Sequence, residues 1–213
     1  AWSPDSTRIA SGGYDAEVHI WKPRPEGGYG EAARGSLVIC RTQESRNSYA
    51  NRITCLAWAP DSHTLLAGRS RGDIVQWDTI TGECLRIIQR HQGVITTLVY
   101  SPDGTRIAST GEDGTLHIGS LEEPDQDLVC QQTGAIPTCA WSPDGSLVVS
   151  SCQGEQALQC WDTWSGAPCE RIPLSVSSTK QLSIQTIAWS PDGRMLAAVC
   201  NMKDVVKDCQ ALG

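Results

Sequence analysis

Trp141-Ser142-Pro143-Asp144-Gly145 is a five-residue word that the chain repeats with small changes. The four other copies are Trp2-Ser3-Pro4-Asp5-Ser6, Trp58-Ala59-Pro60-Asp61-Ser62, Tyr100-Ser101-Pro102-Asp103-Gly104 and Trp189-Ser190-Pro191-Asp192-Gly193. From each initial aromatic residue to the next, the spacing is 56, 42, 41 and 48 residues. A recurring word marks an internal repeat, and a period of ~40–45 residues is typical of four short strands.

Composition narrows the class of protein. The 213 residues are 39% hydrophobic and 19% charged, which is enough for a folded core. The net charge of −7 argues against a non-specific nucleic-acid binder. No apolar run reaches the ~20 residues of a membrane-spanning helix, and none of the ten cysteines forms a C-x-x-C pair. We therefore expect reduced, buried thiols in a cytoplasmic protein that binds neither nucleic acid nor membrane.

Each copy of the word lies between two predicted strands. Ile53–Trp58 and Val94–Tyr100 alternate apolar and small polar residues, as a pleated strand requires. In the word itself, proline, aspartate and glycine suit successive positions of a tight turn. A second strand follows the word, and a third ends at Trp21, Trp77 or Trp161. A fourth strand is predicted at Cys84–Gln89.

These residues resemble the WD-repeat β-propeller family. Trp77-Asp78 and Trp161-Asp162 end their units as the Trp-Asp dipeptide ends a WD repeat, and residues 90–104 keep the family's Gly-His to Ser-Pro-Asp-Gly spacing. The resemblance implies an all-β fold, a β-propeller of four-stranded antiparallel blades. About five repeats are expected, as a fragment of a ring of about seven blades whose missing blades the rest of a full-length chain supplies. The predicted repeats lie near 1–41, 42–90, 91–131, 132–174 and 175–199, and a divergent tail occupies 200–213.

The resemblance also implies a buried network of His, Ser or Thr, Asp and Trp in each blade. His91, Ser109 and Asp113 come nearest to a complete set, although Gly119 and Ser120 replace Trp-Asp in that unit. The aspartate is expected six residues before the tryptophan, where Asp15, Arg71 and Glu155 stand. The residues assigned to these networks are His91, Ser109, Asp113, Asp15, Trp21, Trp77 and Trp161.

Two short motifs match enzyme signatures but lack their required setting. Gly68-Arg69-Ser70-Arg71-Gly72 fits the G-x-S-x-G nucleophile elbow, which needs a strand–turn–helix, yet it falls in a turn between predicted strands. Gly28-Tyr29-Gly30-Glu31-Ala32-Ala33 fits a dinucleotide loop but follows Pro23 and Pro25 instead of a buried strand. No catalytic residue, metal site or cofactor is predicted.

The predicted function is a non-catalytic scaffold that binds other proteins within a larger regulatory or signalling protein or complex. The alternative is a propeller that accompanies an enzyme, as a hydrolase gating domain, a catalytic ring or a kinase-attached sensor. The family places the loops opposite the Ser-Pro-Asp turns on one face, and Arg and Tyr are frequent in protein interfaces. The candidate partner-binding residues are Tyr14, Arg69, Arg71, Gln92, Glu112, Gln153 and Glu155, with the segment 46–51.

Overall fold

The computed structural model describes residues 1–23, 37–42, 51–174 and 184–200 as five antiparallel sheets. The first sheet is β1 (Ile9–Gly12), β2 (Val18–Trp21) and β3 (Leu37–Cys40). The second is β4 (Ile53–Trp58), β5 (Thr64–Arg69), β6 (Asp73–Asp78) and β7 (Cys84–Gln89). The third is β8 (Ile95–Tyr100), β9 (Ile107–Gly111), β10 (Thr115–Gly119) and β11 (Leu128–Gln131). The fourth is β12 (Cys139–Trp141), β13 (Leu147–Ser151), β14 (Ala157–Asp162) and β15 (Pro168–Pro173), and the fifth is β16 (Ile184–Trp189) and β17 (Leu196–Cys200).

The strands of each sheet pair in chain order, so every sheet is a simple meander. The all-β prediction with four-stranded antiparallel units is confirmed. A short 3-10 helix at Pro124–Gln126 interrupts the third sheet between β10 and β11. In the described ranges no helix has the length and apolar character needed to cross a membrane. The Gly28–Ala33 motif, residues 46–50 of the segment 46–51, and residues 201–213 of the predicted tail lie outside what the structure describes.

In the second to fifth sheets the Ser-Pro-Asp word, or Ala59-Pro60-Asp61 in the second, forms the turn between the first two strands, and the first copy of the word precedes β1. In the third sheet the Ser101 hydroxyl donates to Asp103 Oδ1 at 2.6 Å, and Asp103 also accepts the Thr105 backbone N–H at 3.1 Å. Gly104 ends the turn at φ 74°, a left-handed conformation that glycine adopts without strain. These hydrogen bonds to the carboxylate lower the pKa of Asp103. The word is therefore a self-contained turn.

The hydrophobic cores lie between sheets. Val18 and Ile20 of the first sheet pack with Leu65 and Trp77 of the second. Leu66 and Ile74, on the opposite side of the second sheet, pack with Ile95 and other residues of the third. Two further clusters join the third sheet to the fourth and the fourth to the fifth. Because successive residues of a strand point to opposite faces, each middle sheet contributes to two cores.

Buried cysteines belong to these cores. No disulfide joins the cysteines of the described ranges. Burial raises the pKa of Cys40 and of Cys139 to about 12, and that of Cys160 to about 11. These thiols are therefore protonated at neutral pH and act as small apolar side chains.

Two arginines tie neighbouring sheets together at the end of the molecule that carries the Ser-Pro-Asp turns. Arg106 of the third sheet donates to the Thr163 carbonyl oxygen of the fourth at 2.6 Å, and its guanidinium carbon lies 5.2 Å from the Trp141 ring centre. Arg8 of the first sheet donates to Thr79 Oγ1 of the second at 2.6 Å and lies 5.3 Å from the Trp58 ring centre. We call this arrangement the arginine clamp.

Replacing Arg106 by alanine should lower the free energy of unfolding by about 1–2 kcal/mol, because a charge-assisted hydrogen bond and a cation–π contact are lost together. The measurement is the urea unfolding midpoint. Arg194→Ala is the matched control, since Arg194 is exposed on the corresponding turn of the fifth sheet. Equal midpoints for both variants would contradict the clamp.

Candidate functional site

The β1–β2 turn of the first sheet and the turns between the second and third strands of the next three sheets lie at one end of the molecule, where they meet segments that enter the following strands. The Ile53 N–H donates to the Gly13 carbonyl at 2.9 Å, the His91 N–H to the Gly72 carbonyl at 2.9 Å and the Gln132 N–H to the Gly114 carbonyl at 2.9 Å. We call this end the loop face, defined by Tyr14, Arg71, Gln92, Glu112, Gln153 and Glu155. The opposite end, with the Ser-Pro-Asp turns, is the turn face.

The loop-face side chains are accessible, and several of them contact neighbouring residues. Tyr14 is 70% exposed, with the Arg52 guanidinium carbon 5.7 Å from its ring centre. Glu155 accepts from Arg171 Nη2 at 2.8 Å and from the Thr133 hydroxyl at 3.2 Å. Gln92, Glu112 and Gln153 are exposed. The face therefore offers mixed charges and one aromatic side chain. Arg52, Thr133 and Arg171 belong to it although the sequence gives no signal for them.

Arg69 is not part of this face, which corrects the assignment made from the sequence. Its side chain is 1% exposed and forms a buried ion pair with Asp73, with Nε 3.0 Å from Oδ1 and Nη2 against Oδ2. Arg69 lies eleven residues after Trp58, as Gly111 does after Tyr100. A Cβ added at Gly111 would lie 2.6 Å from His91 Nδ1. The arginine thus occupies in the second sheet the place that a histidine ring fills in the third.

Replacing Arg69 by alanine should destabilise the chain by about 3–5 kcal/mol, since it leaves the buried Asp73 carboxylate without its cation. Arg71→Ala is the control two residues away, and its exposed side chain predicts a change within about 0.5 kcal/mol. Both values come from denaturant unfolding. If Arg69→Ala were as stable as Arg71→Ala, the ion pair would have no structural role.

His91 is the centre of a polar network in the third sheet. Its Nε2 lies 2.9 Å from Ser109 Oγ, and its Nδ1 lies 3.2 Å from the Asp113 carboxylate. Burial raises the pKa of Asp113, but hydrogen bonds from the Gln92 N–H and from Thr115 outweigh it and bring the pKa to about 2. Burial, together with the nearby His117 ring, lowers the pKa of His91. The neutral imidazole therefore donates to the carboxylate at Nδ1 and accepts from the Ser109 hydroxyl at Nε2.

A second ion pair stands where this sheet lacks its tryptophan. A Cβ on Gly119 would lie 1.9 Å from Asp127 Oδ1, so the space above the glycine is taken by that carboxylate. Arg90 donates to Asp127 Oδ1 through Nη2 at 2.6 Å and to the Ser120 carbonyl at 2.9 Å. The side chains of Arg90 and Asp127 are only 1% and 3% exposed. The Arg90–Asp127 salt bridge thus stands in the third sheet where other sheets have a tryptophan.

The fourth sheet keeps a neutral version of the network. Gln132 stands nine residues before Trp141, as His91 does before Tyr100. Gln132 Nε2 and Trp161 Nε1 each donate to Ser150 Oγ at 2.8 Å. Glu155, in the aspartate position, points instead to Thr133 and Arg171 on the loop face.

The first and second sheets are less complete. In the first, Trp21 Nε1 approaches Ser11 Oγ at 3.3 Å, while Asp15 is exposed and accepts the Glu17 backbone N–H at 3.2 Å. In the second, Trp77 Nε1 is buried without a hydrogen-bond partner among the described residues, because Ala67 takes the serine position. Apolar packing around Trp77 stabilises the second sheet at this point.

Acidification through about pH 6.5, the ordinary pKa of histidine, should destabilise the chain through His91. Because the folded-state pKa is lowered, the unfolded chain binds more protons in this window, so the free energy of unfolding falls as the pH falls. His91→Gln, which copies the fourth sheet, should flatten this dependence between about pH 7 and pH 5. Urea unfolding titrations at each pH measure the free energy of unfolding.

The control is His63→Gln, since His63 is exposed on the turn face. Its slope is the reference for the loss of one histidine elsewhere in the chain. A His91→Gln variant with an unchanged slope would show that His91 does not control the acid sensitivity.

One further cluster and one motif contain residue types that occur in metal or active sites. Asp15, Glu17 and His19 bring ligand atoms within 4.8 Å of one another, but Arg41 Nε already lies 2.6 Å from Glu17 Oε1. The Gly68–Gly72 motif is the end of β5 and the turn into β6, so the strand–turn–helix of a nucleophile elbow is not formed there. Neither arrangement resembles an active site.

Comparison with known proteins determines the family. The model of the WD40 family, "WD domain, G-beta repeat", matches residues 1–22, 41–78, 82–118 and 124–162. The chain belongs to the WD40 repeat family. The four matches lie within the first four sheets, and the third and fourth matches each begin with the last strand of the preceding sheet. The recognition made from the Ser-Pro-Asp and Trp-Asp words is confirmed.

Similar proteins have longer chains. Guanine nucleotide-binding protein subunit beta-1 of Caenorhabditis briggsae is 25% identical over 152 residues, which is 69% of this chain and 44% of that protein. The p21-activated protein kinase-interacting protein 1-like of Gallus gallus is 30% identical over 119 residues, which is 56% of this chain and 28% of that protein. A chain in the crystal structure of the mitotic checkpoint complex superposes with a TM-score of 0.74 at 20% identity, over 95% of this chain and 58% of that one. This likeness supports the propeller fold.

Proposed function

We propose that this WD40 chain is a non-catalytic scaffold that binds other proteins through its loop face, within a larger regulatory or signalling assembly in the cytoplasm. The main support for this proposal is a row of accessible side chains at one end of the molecule. Successive sheets contribute to it Tyr14, Arg71, Glu112 and Gln153. The inter-sheet cores beneath them hold these side chains on a common support. Pre-positioned side chains lose little conformational entropy on binding.

The names of the relatives agree with this role. The Gallus gallus relative is named for interaction with a kinase, and the structural neighbour is a component of a multiprotein complex. The net charge of −7 favours protein partners over nucleic acid or anionic membrane. The alternative is a propeller that accompanies a hydrolase. The sequence motif that would favour it, Gly68–Gly72, lies in a hairpin turn.

Replacing Arg71 by glutamate should reduce partner capture from a cell extract several-fold without changing the unfolding midpoint, because a rim charge affects association more than folding. Tyr14→Ala should act in the same direction through loss of an accessible aromatic contact. Capture is quantified by mass spectrometry on immobilised protein.

Arg194→Glu on the turn face is the matched charge reversal and should leave the proteins that depend on Arg71 at parent levels. Identical captured sets for Arg71→Glu, Tyr14→Ala and the parent would exclude the loop face as the docking surface.

A further inference from the structure

The three junctions between the first four sheets differ at one position. The clamp arginines Arg8 and Arg106 each lie six residues after the aromatic of their word. In the second sheet this position is Thr64, six residues after Trp58. The junctions from first to second sheet and from third to fourth therefore contain a guanidinium, and the junction from second to third has no arginine at that position.

The acceptor of the clamp is also changed at this junction. Arg8 and Arg106 reach Thr79 and Thr163, which stand two residues after Trp77 and Trp161. The corresponding residue of the third sheet is Leu121, two residues after Gly119. The second-to-third junction thus lacks the clamp arginine and the threonine hydroxyl, but it keeps the backbone carbonyl at the acceptor position.

A groove of about 380 Å³ opens at this place on the turn face. It is lined by residues of the second and third sheets that include Pro60, Asp61, Thr64, Tyr100, Asp103 and Leu121. Three carboxylates border it, from Asp61, Asp103 and Glu122, and no Lys, Arg or His is among its described lining residues.

The groove keeps other elements that hold a guanidinium at the first junction. Tyr100 begins its word as Trp58 begins the word beneath Arg8, so an aromatic ring is present. Gly104 takes the place of Ser62, whose carbonyl oxygen accepts from Arg8 Nη2 at 2.6 Å. An aromatic face, backbone carbonyls and carboxylates are the surroundings that a planar guanidinium prefers.

Arg86 secures the outer end of the junction and leaves the groove open. It extends from β7 to donate to the Leu121 carbonyl at 2.9 Å, and its Nη2 lies 2.8 Å from Glu122 Oε1. Arg86 does not line the groove. The two sheets are therefore joined by an arginine from the outer strand, while the inner position remains accessible from the turn face.

We propose that this groove receives an arginine side chain of a partner protein, in the place that Arg8 and Arg106 fill at the sister junctions. The guanidinium stacks on Tyr100, donates to backbone carbonyls of the third sheet and is neutralised by Asp61 and Asp103. Lysine fits less well because its ammonium group has no planar face to lay on the ring. The proposal rests on the proposed protein-binding function and adds a contact on the turn face with defined chemistry.

The direct test is a titration of the ¹⁵N-labelled chain with N-acetyl-L-arginine amide, followed by amide chemical shifts. Saturable shifts are expected at Gly104 and Leu121. N-acetyl-L-citrulline amide, which has nearly the same shape without the charge, should bind about tenfold more weakly, because hydrogen bonds to charged groups are the stronger ones. Equal affinities for the two probes, or saturable shifts confined to other sheets, would overturn the proposal.

Thr64→Arg supplies the missing arginine from within the chain and should abolish probe binding. Met195→Arg is the matched control, since Met195 is exposed and lies six residues after Trp189, at the corresponding position of the fifth sheet. It should bind the probe as the parent does. Parent-like binding by Thr64→Arg would show that the probe occupies another site.

Asp61→Asn provides an independent variant, because Asp61 is exposed and asparagine keeps the acceptor of the His63 N–H. It should weaken probe binding several-fold, since one bordering charge is lost, and an unchanged affinity contradicts the proposal.

The outcome of the probe titration is separable from that of the loop-face experiment. Loss of probe binding with continued capture through Arg71 would disprove only the groove. Probe binding without such capture would disprove only the loop-face function.

Discussion

The structure depends on covering both faces of each middle sheet. In β5, Leu65 and Ala67 face the first sheet, and Leu66 faces the third. The approach is so close that a Cβ on Gly68 would lie 2.9 Å from Ile95 Cγ2. A sheet with two apolar faces is stable only between neighbours, which is why repeats of this kind occur in arrays. Polar side chains are consequently found at the two ends of the sheets, on outer strands such as β7 and β15, and at a few enclosed positions.

The buried polar networks at those enclosed positions are built from different residues in different sheets. Ser150 of the fourth sheet receives two neutral donors, whereas the third sheet joins His91 to Ser109 and Asp113. The ion pairs of Arg69 and Arg90 replace missing members of the set in the second and third sheets. A buried pair of this kind adds little net stability over an apolar filling, yet loss of one partner is costly. The enclosed polar network therefore differs from sheet to sheet, and in the second sheet Trp77 Nε1 has no hydrogen-bond partner among the described residues.

The architecture was predictable because the Ser-Pro-Asp word is local. Ser101, Asp103 and Gly104 make their turn through hydrogen bonds within five residues, so the sequence alone places every such hairpin. The ion pairs were not predictable in this way. Arg90 and Asp127 are 37 residues apart in the chain. In the sequence, Arg90 is notable only because it replaces the glycine of the family's Gly-His pair. Arg69 was assigned to the surface because its turn position suggested exposure, although its side chain is buried in an ion pair with Asp73. The arginine clamps required the relative placement of two sheets, which no spacing along the chain provides.

The meander order of the strands has a consequence for how the chain acquires its structure. Every hydrogen-bonded ladder joins strands that are consecutive in sequence, and every core joins a sheet only to the one before or after it. No described pairing has to wait for a distant part of the polypeptide. Loop closure is therefore short at each step, which lowers its entropic cost and favours fast local assembly. During synthesis on the ribosome, each new unit emerges beside a completed template, and folding can advance vectorially, one sheet at a time.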